Sequence, residues 1–134
     1  MRPDETAGAR RIDLGAGVYV TIEQRELPPE VGPCLRVFAK RGRLVFQALR
    51  FDCFENDAHY HYDPYGRDEQ LRIEHADPRA WVLDKIATDL PQMLGYAGYA
   101  KAAARIDAVA FASRLTEIRE AIRFATIAIP PNSS

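Results

Sequence analysis

The 134-residue chain has little of what marks several large protein classes. Its 18 Lys and Arg residues are balanced by 19 Asp and Glu residues, so it lacks the basic surplus expected of a nucleic-acid-binding protein. No apolar run is long enough to cross a bilayer, and the first residues lack the apolar core of a secretion signal. These absences predict a cytoplasmic, single-domain protein (residues 1–134) whose partners include neither nucleic acid nor membrane.

Cysteine is scarce as well. The two cysteines, Cys34 and Cys53, are too few for a disulfide framework. They fall on opposite arms of a predicted hairpin centred near Gly42 and several residues out of register. That offset exceeds the roughly 7 Å Cα separation that a disulfide tolerates. We therefore predict two free thiols.

The first half of the chain has the alternating apolar pattern of β-strands, and polar segments at both ends (1–11 and 129–134) predict flexible tails. Gly42 supplies the positive φ that a tight hairpin turn needs. The proline-rich segment 27–33 predicts a loop, and the turn-forming residues 63–68 predict a second hairpin. The predicted strands are 18–25, 34–40, 44–54, 59–62 and 70–74.

Strand 44–54 has two predicted faces. Val45, Leu49, Phe51 and Cys53 would point into the core, together with Leu35 and Val37. Phe46, Ala48, Arg50 and Asp52 would point the other way. Phe46 and Phe54 make this second face less polar than a free surface. We therefore predict that it is covered by a dimer partner or by the segment that contains His59 and His61, here called the histidine segment. The predicted partner is thus a second copy of the chain or a larger protein.

Two helices are predicted in the second half. Asp77 can cap the first, and Pro78 suits its first turn. Pro91 predicts a kink or a restart. The apolar stripes are Leu83, Ile86, Ala87, Leu90 and Leu94 in the first helix, and Phe111, Leu115, Ile118 and Ile122 in the second, 107–124. The fold prediction is α+β: a meander-like antiparallel sheet of four or five strands with two C-terminal helices on one face.

Titratable side chains are concentrated in segment 51–65. In a strand, His59 and His61 point to one side and Tyr60 and Tyr62 to the other. A His-x-His pair can form two ligands of a divalent metal such as zinc, which in a catalytic site keeps a position open for water. Asp57 is the predicted third ligand, and the other candidates are Glu55, Asp63, Asp52 and His75. The alternative is a hydrogen-bonded histidine pair beside a tyrosine-rich turn.

The same segment also permits chemistry without a metal. Either histidine could act as a general base near neutral pH if an aspartate oriented it. Arg36, Arg50, Asp52, His59 and His61 could instead line a polar pocket for a small carboxylate or phosphate-bearing ligand. The alternative is surface ion pairing on a solvent-facing sheet. No nucleophile elbow or phosphate-binding glycine loop accompanies them.

A resemblance supports the importance of this segment. Residues 51–54, His-Tyr-His-Tyr at 59–62, residues 77–81 and residues 90–94 resemble a family of small bacterial proteins that has no assigned activity. The resemblance covers residues 17–99 and implies a single domain, but no catalytic residue. We therefore predict a non-catalytic accessory or ligand-binding domain, with a small metal-dependent or acid–base enzyme using His59 and His61 as the alternative.

Overall fold

In the computed structural model, which describes residues 10–123, six antiparallel strands form one sheet and three helices follow them. The strands are neighbours in chain order, so the predicted α+β meander is confirmed. The elements are β1 (Arg10–Gly15), β2 (Val18–Leu27), β3 (Glu30–Arg41), β4 (Leu44–Asp52), β5 (His59–Tyr62), β6 (Glu69–Arg72), α1 (Pro78–Tyr96), α2 (Ala100–Ala104) and α3 (Ala108–Arg123).

The prediction missed one strand and one helix, β1 and α2. Strand β1 begins at Arg10, inside the segment 1–11 predicted to be a tail. It has only two inward apolar residues, Ile12 and Leu14, too few for a clear alternation. Helix α2 is five residues long, too short for a periodic stripe. The rest of the predicted first tail, and the whole of 129–134, lie outside the described residues.

The predicted loop 27–33 is wrong. Strand β2 continues to Leu27 and β3 starts at Glu30, so only Pro28 and Pro29 form the turn. Pro33 lies within β3, paired with Gln24. A proline lacks an N–H donor but keeps its carbonyl, and the Pro33 carbonyl accepts a hydrogen bond from the Cys53 N–H at 2.9 Å. The prolines therefore predicted a loop where the chain forms a long hairpin.

One face of the sheet packs against the helices to form the core. Successive strands contribute aligned apolar residues, for example Val20, Val37 and Leu49, all fully buried. The register shifts between Val37 and Phe38, so that Phe38 pairs with Gln47 and Ala39 with Phe46. This irregularity places Phe46 and Ala48 with the core, and the prediction that they share the face of Arg50 and Asp52 is wrong.

The helices follow the predicted boundaries closely. The Asp77 side chain accepts a hydrogen bond from the Ala80 N–H at 3.2 Å and caps α1. Helix α1 passes through Pro91 without restarting. Its buried stripe includes Val82 and Met93, whereas Ala87, predicted to be inward, is exposed. No helix among residues 10–123 is both long enough and apolar enough to span a membrane.

Both cysteines are free, as predicted, and both are buried, but the reason given for the free thiols is wrong. Cys34 pairs with Asp52, so Cys53 is one position beyond it rather than several. Successive residues of a strand point to opposite faces. Cys53 therefore belongs to the core, and Cys34 lies on the other face beside Asp52.

Candidate functional site

The face of the sheet opposite the core, here called the polar face, carries two aligned rows of side chains. Alternation along each strand and the strand register together produce these rows. Tyr60 and Tyr62 point to the other side, where Tyr60 stacks on Phe51. The rows are Thr21, Arg36, Arg50, His61 and Gln70, and Glu23, Cys34, Asp52, His59 and Arg72.

Asp52 is the centre of the polar face and its side chain is completely buried. Arg25 Nη1 donates to Asp52 Oδ1 at 3.1 Å, and Arg50 Nε donates to Oδ2 at 3.0 Å. His59 Nε2 lies 3.1 Å from the same Oδ2. Three cationic or imidazole groups therefore share one carboxylate.

The pKa of Asp52 reflects these contacts. Burial of Asp52 raises the pKa of its carboxyl, but the hydrogen bond from His59 and the charges of Arg50 and Arg25 outweigh burial. The pKa is therefore well below its usual range. The lowered pKa favours the ionised form of Asp52, which gives the cluster a negative centre.

His59 uses both of its ring nitrogens inside the protein. Nδ1 lies 2.8 Å from the Asp57 backbone carbonyl, which can only accept, and Nε2 faces the Asp52 carboxylate. Both nitrogens are therefore donors, as in the imidazolium form. The hydrogen bond to Asp52 raises the pKa of His59 in spite of burial. The Asp57 carboxylate lies 3.9 Å from Nδ1, on the ring nitrogen that points away from Asp52.

His61, unlike His59, donates a hydrogen bond from one ring nitrogen and accepts one at the other. Its Nδ1 donates to Asp68 Oδ1 at 2.8 Å, and its Nε2 accepts from Arg50 Nη2 at 2.9 Å. Burial lowers the pKa of His61, Asp68 partly opposes that effect, and the Arg50 charge adds to it. His61 is therefore a neutral imidazole with a fixed tautomer. Two histidines on one strand thus have different protonation states because their neighbours differ.

The structure brings together most of the predicted ligand-binding residues. Arg50, Asp52, His59 and His61 are in direct contact. Arg36, next to Arg50 in its row, forms an ion pair with Glu23. Of the predicted or candidate third metal ligands, Asp52 is the one whose carboxylate lies near the Nε2 atoms of both histidines.

The other candidate ligands have different contacts. Asp63 accepts a hydrogen bond from the Arg67 N–H, His75 Nδ1 accepts one from the Asp77 N–H, and the Asp57 carboxylate lies near Nδ1 of His59 rather than Nε2, the nitrogen that faces Asp52. Arg25 and Asp68 were not among the predicted site residues. Arg25 is two residues beyond Glu23 on β2, and its alignment with Asp52 depends on the long β2–β3 hairpin that was predicted to be a loop.

Asp52, His59 and His61 could also hold a metal ion. One potential ligand atom from each lies within 4.8 Å of the others. Nδ1 of each histidine is anchored by an acceptor, which is how metal-binding histidines are usually oriented. However, Arg50 Nη2 occupies the His61 Nε2 lone pair, and the charges of Arg25 and Arg50 oppose a second cation at this position.

The comparisons with known proteins identify a family but no activity. The model of a domain of unknown function, DUF7700, matches residues 12–122. The chain belongs to this family. No curated protein and no solved structure matches the chain. The matched region contains the whole polar face, and the predicted resemblance to an uncharacterised small-domain family is confirmed, whereas the bacterial origin of that family stays a prediction.

Proposed function

We propose that this protein is a non-catalytic ligand-binding domain that takes a small carboxylate or phosphate anion at Arg25 and Arg50. The observation that carries the proposal is the excess of positive charge around Asp52. One carboxylate faces two permanent guanidinium charges, and a third positive charge is added when His59 is protonated. An anion that bridges the two guanidinium groups would balance this excess.

The two arginines are also the parts of the cluster that solvent reaches. The exposed fraction of the side chain is 28% for Arg25 and 16% for Arg50, but 0% for Asp52. The hydrogen bonds to Asp52 and His61 use one nitrogen of Arg25 and two of Arg50. An approaching ligand would therefore meet N–H donors, while the acceptor that fixes their position stays out of reach.

The imidazoles favour binding over catalysis. A general base needs a nitrogen within reach of a substrate proton. His59 donates from both nitrogens, and His61 has its only lone pair directed at Arg50. Both rings therefore support the arginines and Asp52 rather than offering a free nitrogen to a substrate.

Nuclear magnetic resonance titration with acetate tests this proposal. Saturable shifts of the β4 and β5 amides are expected, and Arg25→Gln should weaken acetate binding about tenfold because a charge-assisted hydrogen bond is lost. Arg119→Gln removes an equal charge from an exposed position of α3 and should leave the affinity unchanged. Equal affinity of Arg25→Gln and wild type would overturn the anion site.

A divalent metal at Asp52, His59 and His61 is the second candidate, favoured by the convergence of one ligand atom from each residue. The two candidates give opposite results for Arg50→Gln. Loss of that cation should weaken acetate binding, but it should strengthen zinc binding by freeing the His61 Nε2 lone pair. Elemental analysis and zinc titration of protein without a polyhistidine tag measure the second effect. If neither the wild type nor Arg50→Gln binds zinc, the metal site is excluded.

Self-association stays a prediction. It was motivated by Phe46 and Phe54, but Phe46 packs against the core and Phe54 is buried beside His59, with ring centroids 5.8 Å apart. Phe54 therefore contacts His59 and adds no exposed apolar surface to this face. Light scattering at several concentrations would test for a homo-oligomer independently of the anion site.

A further inference from the structure

A cavity of about 470 Å³ lies at one end of the sheet, remote in sequence from the polar-face histidines. The β1–β2 turn at Ala16, the β3–β4 hairpin at Gly42, and the α1–α2 connection at Gly98 surround it together with α2. Its volume is within the range of small-molecule sites in proteins. None of these segments was predicted to be functional.

The lining of this basic cavity has charge of one sign. Lys40, Arg41, Lys101 and Arg105 line it, and no Asp or Glu is among the described lining residues. None of the four forms an ion pair with a carboxylate of residues 10–123. Like charges gathered around a concave surface raise the local concentration of anions. The lining of the cavity therefore attracts negatively charged ligands.

Arg41 is held in place without a carboxylate. Its guanidinium carbon lies 4.8 Å from the ring centre of Tyr99 and 5.0 Å from that of Phe46. Cation–π contacts of this kind orient a guanidinium while leaving its N–H groups free to donate. Tyr99 is buried and so provides a fixed wall. A ligand would meet at least one preorganised cation rather than four mobile ones.

Two glycines make room for these cations. A Cβ at Gly98 would lie 3.4 Å from Arg41 Nη1, and φ at Gly98 is +102°, which favours glycine. A Cβ at Gly17 would lie 3.2 Å from the aliphatic part of Lys40, and φ there is +76°. The backbone of two separate turns therefore leaves space where the cationic side chains lie.

We infer that the basic cavity binds a small molecule carrying two or more phosphate groups. Four cations that form no ion pair within residues 10–123 match several negative charges better than a single carboxylate. The cavity has the volume of a small-molecule site, and the chain has a formal net charge of −1, so a small ligand fits better than an extended polyanion. This inference does not depend on the anion proposed at Arg25 and Arg50.

Inorganic pyrophosphate is the probe for this inference. Calorimetric titration of the full chain at low ionic strength should show saturable binding, and nuclear magnetic resonance should place shifts of matching affinity at Gly42 and Gly98. Lys101→Gln/Arg105→Gln should weaken binding at least tenfold, because two charged contacts are removed. Both side chains are exposed, so the double variant should fold. Added salt should weaken binding in wild type more than in the double variant.

The matched control removes the same two residue types elsewhere, in Lys85→Gln/Arg119→Gln. If both double variants lose affinity equally, the binding is general charge attraction and the inference fails. Pyrophosphate that binds no more tightly than inorganic phosphate, or not at all at millimolar concentration, would also overturn it. Arg25→Gln, which tests the polar face, should not change the pyrophosphate affinity measured from the Gly42 and Gly98 amide shifts, so the two sites can fail separately.

Discussion

The polar face and the basic cavity both concentrate positive charge, but only one of them supplies the counter-charge. Around Asp52, cations share a carboxylate with no solvent exposure. Around the cavity, Lys40, Arg41, Lys101 and Arg105 are exposed and have no ion pair to the described chain. Unpaired charge is costly when buried and inexpensive in water. The first cluster is therefore fixed by folding, and the second is free to take its counter-ion from solution.

Asp52→Asn should have the largest effect on stability. It removes the anion but leaves Arg25, Arg50 and His59 around the same buried position, so these partly buried groups lose their shared partner. Breaking a buried ion pair in this way costs about 3–5 kcal/mol, and chemical denaturation would measure the loss in free energy of unfolding.

Asp68→Asn is the control for this prediction. Asp68 also contacts a histidine, but its side chain is 51% exposed, and a solvent-exposed contact of a charged side chain contributes less than about 1 kcal/mol. Equal destabilisation by the two substitutions would show that burial of Asp52 does not set its importance, and the contrast between the two charged regions would lose its physical basis.

Gly32→Ala should have the next largest effect. A Cβ at Gly32 would lie 2.2 Å from the Cys53 carbonyl oxygen, which is backbone and cannot move aside easily. Cys53 directly follows Asp52, so relief of the clash would shift the carboxylate that holds the cluster. Overpacking of this kind costs about 1–3 kcal/mol.

Gly95→Ala is the matched control for Gly32→Ala. Gly95 lies in α1 with no atom within 4 Å of the added Cβ, and glycine in a helix is about 0.5–1 kcal/mol worse than alanine. Gly95→Ala should thus stabilise the protein. A neutral Gly32→Ala would show that β3 and β4 tolerate a larger separation near Asp52 than their contacts indicate.

The contributions of His59 and His61 to stability should depend on pH in opposite directions. Hydrogen bonding to Asp52 raises the pKa of His59, so its contribution to stability is complete below the unfolded pKa of about 6.5 and is lost as pH rises through the folded pKa. Burial lowers the pKa of His61, so its contribution is present above about pH 6.5 and is lost as pH falls.

Single variants separate these opposing contributions. In His61→Gln, the free energy of unfolding should fall with rising pH near neutrality, because His59 is then the histidine of the two that still contributes. In His59→Gln, it should fall with decreasing pH. Denaturation midpoints between pH 5 and 8 would measure both trends relative to wild type. Slopes of the same sign would contradict the assignment of one imidazolium and one neutral imidazole.

The features that depend on local residue spacing were predicted correctly from the sequence. Alternation separated His59 and His61 from Tyr60 and Tyr62, and Asp77 marked the start of α1 where the structure has it. These features depend on neighbours within a few residues, so their signal is contained in a short window.

The site itself depends on register, which is why it could be predicted only in part. Arg25 reaches Asp52 across 27 residues because β2 and β3 pair through the prolines that predicted a loop. Asp57 is closer in sequence to the histidines than Asp52 is, yet strand pairing places Asp52 opposite His59. The basic cavity joins three turns from separate parts of the chain, and no sequence motif indicates their meeting.

The smallest effect on stability is expected at the basic cavity. Lys101→Gln/Arg105→Gln removes two exposed cations that have no carboxylate partner in residues 10–123, so the free energy of unfolding should change by less than about 0.5 kcal/mol, as at other surface sites. Any change should be stabilising, because fewer like charges then surround the cavity. Thermal denaturation of wild type and variant at low salt would measure it. A large destabilisation would mean that these cations support the fold as Arg25 and Arg50 do, and the distinction between charge fixed by folding and charge left for a ligand would no longer hold.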